Sequence, residues 1–169
     1  MNKILHKNKG FSLLEMLVYI SILVLLLGVI MNITVSIVRS HRAIKASRSI
    51  ENSAIISLER ITREVRGTNT VNIASSIFDT SPGKLVLNST DDGGNPRTVE
   101  FYLASGTLFL KENGVDVGPL SQSDAEVESL TFRLFSNVEF VGVRVEMTIE
   151  SGTSTYYRSG SFYSSANIR

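Results

Sequence analysis

Residues 11–38 form a predominantly apolar run in which Glu15 is the only charged side chain and the Tyr19 phenol the only other ionisable group. As an α-helix rising 1.5 Å per residue, the run measures about 42 Å. That crosses a hydrocarbon core of roughly 30 Å with a turn or two to spare. A charge inside such a span costs about 2.5–3.5 kcal/mol on insertion scales. Glu15 therefore requires a partner or a purpose.

A short basic leader with Lys3, His6, Lys7 and Lys9 precedes the run and ends in Gly10. The stretch Gly10-Phe11-Ser12-Leu13-Leu14-Glu15 resembles the processing site of type IV pilins and type II secretion pseudopilins. Basic leader, glycine, phenylalanine and a carboxylate four residues further on coincide. The resemblance implies that a membrane prepilin peptidase cleaves between Gly10 and Phe11 and that the new Phe11 amine is N-methylated. It also implies that Glu15 is the assembly carboxylate. The implied partners are the peptidase, other pilin or pseudopilin subunits, an inner-membrane assembly platform and the lipid bilayer. The implied location is the inner (cytoplasmic) membrane, crossed once with the leader in the cytoplasm and the head outside, and then a pilus or pseudopilus. The likeness is close over residues 9–38 and diffuse beyond.

The residues support a mechanism of their own. Cleavage after Gly10 leaves an ammonium on Phe11 at the bilayer edge, with Glu15 one turn deeper, about 6 Å along the axis. The carboxylate can pair with its own terminus or with that of a neighbouring copy. In low dielectric, pairing removes most of the penalty of leaving either charge alone. Glu15 then acts as a register device. Two blander readings compete. A secretory signal peptide needs an apolar region of about 7–15 residues and a small-x-small cleavage site; this run is longer and no such site closes it. A plain signal anchor leaves the glutamate incidental. Charge does not settle orientation, because Arg39, Arg42, Lys45 and Arg48 follow the span just as the leader lysines precede it.

Composition narrows the remaining chemistry. The 169 residues carry a formal charge of +1, no cysteine and two histidines, His6 and His41. Near-balance gives no basic field of the kind nucleic acid requires. An exported head without cysteine stands on its core alone. No nucleophile with a base and no phosphate loop is evident, so no enzyme, catalytic residue, cofactor or metal centre is expected.

Past the run, Ile44, Ser47, Ile50, Ala54, Leu58, Ile61 and Val65 recur at helical spacing, with Glu59–Arg63 and Arg60–Glu64 as i,i+4 pairs. Gly67 suits a C-terminal cap. Beyond it the sequence predicts strands at residues 84–87, 98–103, 107–111, 130–134, 141–149 and 154–163, with turns at 91–96, 105–106 and 113–114. Val141, Val143, Val145, Met147 and Ile149 should face a core, and Gly142, Arg144, Glu146, Thr148 and Glu150 water.

The divisions are a leader (1–10), a transmembrane half-helix (11–38), an amphipathic half-helix (39–67) and a β-rich head (68–169). The fold class is α+β and pilin-like, a long N-terminal helix packed on an antiparallel sheet. The strands look most like those of a minor (J-type-like) subunit. The expected function is structural: a subunit stored in the membrane and assembled through its helix. The alternatives are a minor tip or initiator subunit whose head binds DNA, a surface or secreted cargo, and an unprocessed signal-anchored protein. Residues 91–95 are read as a tight turn in preference to a calcium loop, and Tyr156, Tyr157, Phe162 and Tyr163 as strand dressing in preference to a binding patch.

Overall fold

The computed structural model describes residues 12–91, 93–137, 140–153 and 156–168. A 54-residue helix, α1 (Leu13–Arg66), precedes eight strands: β1 (Thr70–Val71), β2 (Lys84–Thr90), β3 (Pro96–Ala104), β4 (Thr107–Glu112), β5 (Val115–Pro119), β6 (Ala125–Ser136), β7 (Val141–Ser151) and β8 (Arg158–Asn167). Every strand pairing is antiparallel. The chain divides into two compact units, residues 1–41 and 42–169.

In residues 42–169 the helix packs against antiparallel sheets, as the fold class requires. The expected single sheet is two: β1-β2-β3-β4-β5 and β6-β7-β8. The break falls after β5, where Pro119 brings no N–H to the ladder. The connection then bonds to the helix: the Gln122 amide donates to Ser53 Oγ at 3.0 Å, and the Ser49 hydroxyl donates to Gln122 Oε1 at 3.0 Å and to Asp124. Lys45 Nζ also reaches Asp124 at 3.5 Å. The Ser49 hydroxyl first, then Lys45, hold the Asp124 carboxyl below the usual carboxylate range, against the pull of partial burial.

The helix stripe runs as its spacing predicts at Ile50, Ala54, Ile61 and Val65, whereas Ile44 is exposed. Ala46, Ser49, Ser53 and Ser57 complete the buried face. Small side chains there let strands approach the helix, and the facing core is Leu85, Leu87, Val99, Phe101, Leu130, Phe132, Met147 and Ile149, all essentially inaccessible to solvent. Each such large apolar side chain contributes about 1.5–3 kcal/mol on burial.

The end of the helix is fastened by charge. Arg60 Nη2 lies 2.9 Å from Glu64 Oε1 and 2.8 Å from Glu112 Oε1. Arg97 Nη2 lies 2.6 Å from the same Glu112 oxygen, and Arg97 Nη1 3.2 Å from Glu64 Oε2. Two cations and two anions thus close a neutral ring between α1, β3 and β4. The expected Glu59–Arg63 pair also forms, at 2.9 Å on the surface. Gly67 does not adopt a left-handed cap: its amide continues the helix pattern to Arg63 O at 3.1 Å, and the Ser89 hydroxyl donates to its carbonyl at 3.0 Å.

Two hairpins follow the turn residues directly. Ser105-Gly106 (φ 48° and 72°) and Asn113-Gly114 (φ 50° and 82°) both place two successive residues at positive φ, the two-residue turn whose twist matches its strands. In β7 the buried face is Val143, Val145, Met147 and Ile149 as expected, while Val141 is exposed at the strand end. Gly142, read as facing water, is buried: a Cβ there would lie 2.4 Å from the Phe135 ring. The last strand starts four residues later than expected, at Arg158, and β1 and β5 are additions.

Two stability outcomes follow, both measurable by urea denaturation of residues 42–169. Val143→Asp is expected to unfold the head, because an unpaired buried charge costs several kcal/mol, whereas Thr148→Lys on the outer face is tolerated. Ser57 Oγ is buried with no hydrogen-bond partner among the described residues. Ser57→Ala is therefore expected to raise the midpoint, and Ser53→Ala to lower it through a loss of about 1–3 kcal/mol of stability from the abandoned Gln122 amide.

Candidate functional site

The helix begins where the sequence places its one anomalous charge. The carbonyl of Ser12 accepts from the amides of Glu15 at 3.0 Å and Met16 at 3.1 Å, so Ser12 stands just outside the helix and Glu15 in its first turn. Unsatisfied amides give a helix N-terminus partial positive charge, which favours a carboxylate there. Gly10 and Phe11, the expected cleavage and methylation residues, lie outside the described residues.

Glu15 has a partner that the sequence reading left unlinked. The Tyr19 hydroxyl donates to Glu15 Oε1 at 3.1 Å, across one turn of the helix. The i,i+4 spacing was the available signal. Two other hydroxyls in this stretch are likewise satisfied by their own helix: Ser21 Oγ donates to Leu17 O at 2.8 Å and Thr34 Oγ1 to Ile30 O at 2.9 Å. Such pairing within the helix suits a surrounding without water.

Residues 13–38 are exposed along their whole length; Leu25, for example, is 72% exposed. The helix is long and apolar enough to cross a membrane by length and composition. Gly28 has open space where a Cβ would stand, and a neighbouring helix can approach closely at such a position.

The other candidate residues serve local structure. Asp91 Oδ1 accepts from the amides of Gly93 at 2.9 Å and Asn95 at 2.8 Å, and the Asn95 side chain donates to both carboxylate oxygens. These bonds, that of the Asn95 side chain foremost, hold the Asp91 carboxyl below its usual range. Its oxygens thus brace the turn. The four C-terminal aromatics take separate partners: Tyr156 lies under Arg42 at 5.8 Å and Tyr163 under Arg144 at 5.5 Å. Tyr157 donates to Glu150 at 2.7 Å, and Phe162 packs on the core.

Comparison with known proteins bears on the helix start. A family model described as the prokaryotic N-terminal methylation motif matches residues 5–31. A search of curated proteins and one of solved structures found no match. The motif and the fold together support the type IV pilin/pseudopilin family. The motif supports a type IV pilin-like processed subunit, and the apolar helix is compatible with a membrane anchor.

Proposed function

We propose that this chain is a structural subunit of a type IV pilus or type II secretion pseudopilus, stored in the inner membrane and assembled through its N-terminal helix. A prepilin peptidase cleaves between Gly10 and Phe11, the Phe11 amine is methylated, and the head stands outside the membrane. Glu15 then pairs with the Phe11 ammonium of a neighbouring subunit. The observation that carries this reading is the coincidence of the methylation motif with a lone carboxylate in the first turn of an exposed apolar helix. In lipid the uncompensated charge is costly, and a neighbour's ammonium relieves it only when the two helices stand in one register. The Glu15 penalty thereby becomes a driving force for ordered assembly.

Mass spectrometry of the mature protein is expected to find a singly methylated Phe11 at the amino terminus. Replacing Gly10 with a bulky residue should leave the leader attached. An unprocessed wild-type chain in cells that have the peptidase contradicts the proposal.

Glu15→Leu is expected to leave processing and membrane abundance intact and to reduce incorporation into filaments. The measurement compares the sheared-filament fraction with the membrane pool in cells that also express wild-type subunits. If the carboxylate had no assembly role, its removal would be neutral or would favour insertion.

A further inference from the structure

We infer that Tyr19 is a positioning residue for the Glu15 carboxylate, holding it in place for the incoming ammonium. This rests on the assembly reading above. Long helical side chains lean back toward the N-terminus over the preceding turn. The Tyr19 ring therefore brings its hydroxyl level with Glu15, where it donates to Oε1 at 3.1 Å. Tyr19 arises one turn deeper than Glu15, so the phenol reaches the carboxylate from the membrane interior. The Phe11 ammonium of a neighbour approaches from the membrane edge. A carboxylate offers two oxygens and about four lone-pair sites, so the phenol's single donation leaves room for that ammonium.

The bond also answers what Glu15 does before assembly. In hydrocarbon an acceptor without a donor is severely penalised, and residues 13–38 contain no other charged side chain. Tyr19 supplies a donor from the same helix without neutralising the charge. The carboxylate is thus fixed in orientation but still attracts a cation. A lysine or arginine at the same position would satisfy Glu15 fully and compete with the neighbour's ammonium. A phenylalanine would leave the acid unheld.

Full-length protein in detergent, carrying a 13C label at Cζ of its five tyrosines, tests the pair directly. Tyr19→Phe identifies the Tyr19 resonance by its loss. Glu15→Leu is expected to shift that resonance alone, whereas Glu51→Leu, which removes a carboxylate bonded to Ser47 instead, leaves it in place. A Tyr19 resonance indifferent to Glu15→Leu overturns the pair.

In cells, Tyr19→Phe keeps the ring and should lower filament incorporation on the order of tenfold, as expected for losing a hydrogen bond to a charged group. It should have no further effect in a Glu15→Leu background. Wild-type incorporation of Tyr19→Phe beside impaired Glu15→Leu overturns the positioning role and leaves the assembly reading standing. Wild-type incorporation of both variants overturns the assembly reading itself, and the resonance measurement, which needs no filament, still decides whether the pair exists.

Discussion

The architecture of residues 42–169 depends on the seating of one helical face against two sheets at once. A single sheet would bury a helix on one side and leave its other apolar positions wet. Here Ile50 meets the side of β8, its Cγ2 lying 3.5 Å from where a Gly160 Cβ would stand, while Glu64 turns toward Arg97 of β3. The row Ser49, Ser53, Ser57 makes this closeness possible. Two of the three hydroxyls take part in bonds to the connection between the sheets, so the row also fixes where the chain crosses from one sheet to the other.

A single helix thus carries two kinds of surface along its length. Up to Val38 its side chains are mostly apolar and all exposed, as suits lipid; from Ala46 they sort into a buried stripe and a mainly polar remainder, as suits a core beside water. The polar groups of the first part are consistent with this. Tyr19, Ser21 and Thr34 each find an acceptor within one turn of their own helix. Glu15 belongs to the same pattern as the acceptor of the Tyr19 hydroxyl.

Much of this was legible in the sequence, and the failures have physical causes. The turns at 105–106 and 113–114 were readable because only a few residues accept positive φ twice in succession, and β7 because strict alternation has one structural meaning. The buried serines were not, because a hydroxyl reads as exposed until a partner from a distant segment, such as Gln122, is known. The inward face of β8 was equally hard to read, because three of its four positions, Gly160, Ser164 and Ala166, are too small or polar to announce a core face beside Phe162. Division into two sheets turns on the one consecutive pair, β5 and β6, that does not join, and the alternation within each strand does not encode that. At the helix start, the lone charge was evident from hydropathy alone, whereas the bond from Tyr19 required the two residues to be placed on one face.

The fastening of the helix seat has a mechanical consequence. Residues 46–65 are held near one end by the Ser49–Lys45–Asp124 contacts and near the other by the ring of Arg60, Glu64, Arg97 and Glu112. Tension applied along the axis of this segment loads both fastenings, and the apolar contacts between them, simultaneously. Bonds loaded in parallel share the force and fail together; bonds at a peeling edge fail one by one. The seat is thus arranged to resist pulling in shear, and to yield more readily to a force that lifts one end of the helix away from the strands.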